Sequence, residues 1–161
     1  MYKVIDNFLP KEDFIKIKNV IGESPDFPWY YSPDINKYEE SNKCYFTHIL
    51  FSGVTLEKST YFNVIKPLVQ KIDPLALIRI KCNLYPSTKE LETHAAHTDY
   101  PYKHKGAIFC VNSCNGGTIM ADDTTVDAVE NRIFFFDPSL PHSSTTTTNL
   151  KARININFNY F

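Results

Sequence analysis

The residues best equipped for chemistry lie in the stretch His94 to Pro101, HAAHTDYP. His97 and Asp99 are two apart, so in a strand both side chains project to one face, where an imidazole nitrogen and a carboxylate oxygen can share one ion. The pair alone is a weak signal, because a chain of this composition yields roughly 0.3 His-x-Asp matches by chance. A third candidate ligand, His142, follows the apolar run IFFF and the turn DPSLP, and Arg153 comes later in an apolar, Asn-rich segment. Two imidazoles and one carboxylate form the three-ligand face that suits Fe(II), leaving positions open for a chelating molecule and dioxygen. An arginine aimed into the same cavity offers a fixed fork that a carboxylate engages with two hydrogen bonds.

Positioning such groups requires a sheet with one face turned inward. In 77–85, Arg79, Lys81, Asn83 and Tyr85 alternate with Ile78, Ile80, Cys82 and Leu84. In 153–160, Arg153, Asn155, Asn157 and Asn159 alternate with Ile154, Ile156, Phe158 and Tyr160. For a lone strand the simplest reading of such alternation is a polar face in water. In a curled sheet the same residues line a cavity. Upstream, 3–5 reads as a short strand, and 11–21 as a helix with Phe14, Ile17, Val20 and Ile21 on one face and Gly22 as its stop. Residues 23–43 form a long polar loop with the aromatic cluster Phe27, Trp29, Tyr30 and Tyr31. A strand over 45–51 and a second helix over 56–72, with Pro67 as an internal kink, complete the first half. Beyond it the pattern is short strands at 77–85, 93–99, 107–112, 118–121, 125–129, 133–136, 142–147 and 152–160. This is α+β, mainly β: an antiparallel jelly roll or sandwich with two supporting helices on its outer face.

Length and charge narrow the classes. One hundred and sixty-one residues make one domain (1–161), with 1–76 as helical support and lid and 77–161 as the jelly-roll core. Lys plus Arg (17) nearly cancel Asp plus Glu (18), so the basic footprint of a nucleic-acid binder is missing. The four cysteines follow no zinc spacing, and no apolar run reaches membrane length, which points to a cytoplasmic protein with reduced thiols and no membrane partner.

Taken together, the opening VIDNFLPKEDF, the strand IRIKCNLYP leading to HTD, the SCNGGT turn after AIFCVN, NRIFFFDPSLPH and ARININF resemble the Fe(II)- and 2-oxoglutarate-dependent dioxygenase superfamily. The likeness is to its short prolyl-4-hydroxylase-like branch, which includes phage and bacterial members, and covers nearly the whole chain. It implies a double-stranded β-helix, with His97, Asp99 and His142 holding iron and Arg153 the distal carboxylate of 2-oxoglutarate. Tyr85 and Asn157 fall where relatives contact the cosubstrate. Cys110 stands where several relatives have a second cosubstrate-binding tyrosine, and is the main departure. The implied reaction is hydroxylation of an unactivated C–H bond, with dioxygen consumed and succinate and carbon dioxide released; if phage-encoded, the protein works in the host cytoplasm. A prolyl or other peptide side chain is the substrate the branch implies, with Arg79, Asn83, Trp29 and Tyr100 available to receive it. A free amino acid or small metabolite would use the same groups, and a non-enzymatic metal-binding jelly roll is the reading from another class. Nucleic-acid repair members carry a second arginine six residues after the first, where this chain has Asn159. His94 is read as a loop histidine, His48 and His104 as surface or core-edge residues, Asp122–Asp123 as a solvated turn, and oligomeric state is left open.

Overall fold

A computed structural model describes residues 2–33 and 44–161. Eleven strands, β1 (Lys3–Ile5), β2 (Tyr30–Ser32), β3 (Tyr45–Ser52), β4 (Glu57–Lys58), β5 (Leu77–Pro86), β6 (Lys105–Cys110), β7 (Gly117–Ile119), β8 (Thr125–Asp127), β9 (Ile133–Phe136), β10 (Ser143–Ser144) and β11 (Ala152–Tyr160), form two antiparallel sheets among these residues. The large sheet runs β1-β9-β6-β11-β5-β3-β2, with β4 paired to β3, and the small one runs β10-β7-β8. Bridges Thr93–Thr145 and His97–His142 add the segment before β6 to the small sheet. This is the jelly-roll fold that the strand pattern implies.

The alternation in β5 and β11 decides what lies on each side of the large sheet. Ile154, Ile156 and Phe158 of β11, with Ile80 and Cys82 of β5 and Phe109 of β6, pack under the helices against Ile17, Ile21, Ile65 and Leu68. The opposite face is not in water. Asn83, Arg153, Asn155, Asn157 and Asn159 are all buried beneath the small sheet, beside a second apolar cluster that includes Ile108, Cys110, Val126, Phe134 and Phe136. The lone-strand reading of a wet polar face therefore fails, because the small sheet folds back over it.

The helical elements differ in detail from the sequence reading. Helix α1 (Lys11–Ile17) continues as a π-helical stretch over Lys18–Glu23, so Gly22 lies within the helix. There a Cβ would come 3.1 Å from Val111 Cγ1, which makes Gly22 a close-packing site rather than a stop. The second helix starts at 60, where the Ser59 hydroxyl caps the Tyr61 N–H at 3.1 Å. Thr60–Ile65 is a 3-10 helix, and α2 (Lys66–Ile72) has Pro67 in its first turn, where a missing N–H costs nothing, so there is no kink. Leu56, counted on the helical face, is instead in the β3–β4 connection with φ of 54° and 86% exposure. Asp73, in the left-handed region at φ 51°, ends α2.

Part of the long loop is ordered as β2, an edge strand paired with β3, while the lid expected over its remainder falls on 34–43, outside the described residues. Residues 93–99 and 142–147 pair only through single bridges and the two-residue β10. No helix among the described residues is long and apolar enough to cross a membrane.

Phe158 is fully buried at the centre of the helix-facing core. Phe158→Ala should lower unfolding free energy by about 3–5 kcal/mol, read as a lower denaturant midpoint at unchanged slope.

Candidate metal centre and anion pocket

His97 and His142 face each other across the small sheet as a hydrogen-bonded pair. His97 N–H donates to His142 O at 3.0 Å, and His142 N–H donates to His97 O at 3.0 Å. Their rings lie 4.7 Å apart between centroids. Asp99 is fixed by its own N–H, which donates to Pro138 O at 2.9 Å. One donor atom from each of these three side chains lies within 4.8 Å of the others, a spacing that a single metal ion can bridge.

The donor chemistry fits a divalent ion. The His142 Nδ1–H donates to Leu140 O at 3.0 Å, which assigns the proton and leaves Nε2 with a lone pair. Burial first, and then the neighbouring His142, push the His97 imidazole below its ordinary range, so it stands neutral and ready to ligate. Burial by itself would push the Asp99 carboxyl up. The Arg79 guanidinium above all, with the Asn157 amide and Lys81, outweighs that and holds it below the usual carboxylate range.

Two partners orient Asp99, whose side chain is only 6% exposed. Arg79 Nη2 donates to Oδ1 at 3.0 Å, and Asn157 Nδ2 donates to Oδ2 at 3.2 Å. A third stands behind them. His104 Nδ1–H donates to Tyr102 O at 2.8 Å, so Nε2 is the acceptor. The Asn159 amide, turned so that its nitrogen faces the two acceptors, donates to that Nε2 at 2.7 Å and to Asp99 Oδ2 at 3.1 Å. His104 is therefore a buried support of the site and not a surface residue.

Four residues along β11 from Asn157, about 13 Å of strand, the same face carries Arg153. It is 1% exposed and forms no ion pair among the described residues. Its Nη1 donates to Thr145 O at 3.0 Å and its Nη2 to Thr118 Oγ1 at 2.8 Å, while Nε is buried without a partner. Tyr85 lies beneath the guanidinium at 5.4 Å, and Cys110, buried, sits opposite Asn155 on β6. The Cys110 thiol is pushed up by burial, a shift that outweighs the opposing pull of Arg153, so it is a neutral wall and no nucleophile. Gly116 explains the NGG turn: a Cβ there would collide with Thr146 O and come within 3.1 Å of Arg153 Cδ.

The other sequence candidates divide. Tyr100 is beside the site, under the Arg79 guanidinium at 5.3 Å and stacked on Tyr102. Asn83 is on the inner face, donating to Asn155 Oδ1 at 2.9 Å, with its own Oδ1 buried and unpartnered. Trp29 is not brought to the site. It packs on Phe27 at 5.0 Å and belongs to the helix-side core, because the 27–29 segment is anchored there by Phe27. Asn157 reaches Asp99 rather than the arginine pocket. His94 is a loop histidine, but a buried one: it stacks on Tyr85 at 5.3 Å, with Nδ1 2.7 Å from Ser144 Oγ. His48 is a core-edge residue held by Pro28 O and Ser59 Oγ, as its lack of partner spacing implied.

Compared by sequence, the chain matches no family model and no curated protein. Among solved structures it is similar to a prolyl hydroxylase from Trichoplax adhaerens, described in complex with a hypoxia inducible factor peptide fragment. The TM-score is 0.70 at 15% identity, over 99% of this chain and 83% of that one. The chain has the prolyl hydroxylase fold. The viral collagen prolyl hydroxylase of Paramecium Bursaria Chlorella virus-1, described as a 2OG complex, gives a TM-score of 0.59 at 11% identity, over 98% and 94% of the two chains. A Pseudomonas putida prolyl-4-hydroxylase gives 0.56 at 13%, over 99% and 91%. The prolyl hydroxylase fold in this chain ends its inner face with a fully buried arginine that has no acidic partner among the described residues.

Because Asn157 holds a ligand oxygen, Asn157→Leu should weaken divalent-metal affinity about 10- to 100-fold in a competition titration, with the fold retained by circular dichroism.

Proposed function

We propose that the protein is a 2-oxoglutarate-dependent dioxygenase that hydroxylates an unactivated C–H bond of an amino-acid side chain, prolyl or another peptide side chain, releasing succinate and carbon dioxide. One observation carries the reading: Asn157 of β11 holds Asp99 of a three-donor metal cluster, and four residues along the same inward strand face stands Arg153, buried and without an acidic partner among the described residues. That is the arrangement a chelating dicarboxylate needs, with a metal at one end and a guanidinium at the other. Prolyl hydroxylases among the fold's neighbours support the substrate class, and the Trichoplax protein's peptide complex supports a peptide.

Fe(II) held by His97, Asp99 and His142 would supply the dioxygen activation and the C–H oxidation. The chain's own residues supply geometry. Thr145 O and Thr118 Oγ1 take one hydrogen each from Nη1 and Nη2 of Arg153, so Nε and the remaining hydrogens are left for the distal carboxylate of 2-oxoglutarate. Tyr85 supports the guanidinium from below, and its own phenol, raised chiefly by burial, stays protonated. Arg79, Asn157 and Asn159 hold Asp99 ionised and in place as a ligand. Phe134, Phe136 and Ile108 form a buried apolar cluster beside these polar groups, which keeps water from them. No general acid or nucleophile is required of the protein.

Anaerobic addition of Fe(II) and 2-oxoglutarate should give a visible charge-transfer band, and aerobic incubation should give succinate. His97→Ala and Asp99→Ala should abolish both with iron in excess. Unchanged succinate in these variants would sink the reading. Arg153→Met should raise the 2-oxoglutarate concentration needed for half-maximal band intensity by roughly a hundredfold, about 3 kcal/mol.

A further inference from the structure

Lys81 is the inner-face residue of β5 that the reading above leaves without a task. It stands between Asn157 of β11 and Ile49 of β3 in the ladder, one strand over from the residue that holds Asp99. Its ammonium donates to Tyr45 OH at 3.3 Å and lies 5.3 Å from the centre of that ring. No ion pair among the described residues engages it. Burial, followed by repulsion from Arg79, lowers its pKa from the ordinary lysine range, the mark of a cation short of both solvent and counter-charge.

The cavity's charges show what it awaits. A divalent metal, Asp99, the 2-oxoglutarate dianion and Arg153 cancel one another. Arg79 and Lys81 remain; Arg79 is engaged by Asp99, and Lys81 is not. Nor do Lys81 and Arg153 address the same spot. Tyr45 and Tyr85 stack at 5.6 Å with their rings 10° from parallel, Lys81 is set against Tyr45, and Arg153 is set against Tyr85. The distal end of the cosubstrate belongs to Arg153, so a second anion belongs to Lys81.

We infer that Lys81 receives a carboxylate of the substrate, which makes that substrate a free amino acid or the C-terminal residue of a peptide rather than an internal one. The inference rests on the dioxygenase reading and sharpens its substrate. An internal prolyl residue has no charge near the reacting ring and would leave Lys81 half-buried and without a counter-charge. A free carboxylate within one side chain's length of the C–H bond gives the ammonium a charge-assisted hydrogen bond and leaves Arg79 on Asp99.

The wild-type charge-transfer band and substrate-free succinate formation are measured first, and their absence removes the dioxygenase reading itself. With both present, the twenty L-amino acids, N-acetyl-L-proline and a C-terminal-proline peptide are compared with the matching carboxamides. Two readouts are taken: melting temperature of the protein loaded with Mn(II) and 2-oxoglutarate, and succinate formation above background. Carboxylates should raise the melting temperature and stimulate turnover, and their amides should do neither. Lys81→Met should raise KM for the stimulating carboxylate at least tenfold with a smaller change in kcat, and Lys81→Arg, which keeps the charge, should recover part of that loss. The free-acid and peptide arms separate the two sources of the carboxylate. Equal response to acids and amides, a panel in which no carboxylate acts, an unchanged KM in Lys81→Met, or an equal loss of 2-oxoglutarate affinity in that variant would each overturn the inference.

Discussion

The inner face of β5 and β11 is polar and buried, so each donor on it must find an acceptor within the protein. That demand organises the site. Asn83 bonds Asn155, Asn157 and Asn159 reach Asp99, and Arg153 is tied to the small sheet through Thr118 and Thr145. Groups left short of partners include Arg153 Nε and Asn83 Oδ1 on the side of the anion pocket and Arg79 Nε beside Asp99. A network satisfied over most of its length is rigid where it must hold geometry.

The two sides of the large sheet divide the labour. The helix side is apolar throughout, with Phe109, Ile156 and Phe158 pressed on Ile17, Ile65 and Leu68, and supplies the cohesion that a face built of asparagines cannot. Polar side chains on the other face are tolerated because the sheet is already held from behind. Cys110 belongs to this logic: a small, neutral side chain opposite Asn155 keeps the wall dry without adding another donor to satisfy.

Much of this was legible where residue type and spacing are both restrictive. His97, Asp99 and His142 are rare residues whose chemistry is hard to mistake, and the alternation through Arg153 and Asn157 gave their face. What alternation could not tell was whether that face was wet, since only the small sheet, assembled from single bridges and two-residue strands, settles it. That Asn157, which the resemblance sets near the cosubstrate, bonds Asp99 was not legible, because a strand position fixes direction and not which neighbour an amide chooses. His104 carried no spacing signal, and alternation gave Lys81 its face but not its neighbour; their partners, Asn159 and Tyr45, are distant in sequence. The second helix was misplaced by four residues because apolar spacing does not separate 3-10 from α, whereas the cap at Ser59 does.

The backbone pairing of His97 with His142 gives metal loading a further meaning. The two imidazoles share a face only when the strands meet in this register, and a slip of one residue would send one of them to the outside. A molecule closed out of register has a jelly roll of nearly the same shape and no chelate. An ion held by both imidazoles would therefore proofread strand alignment, retained by correctly zipped chains and refused by the rest.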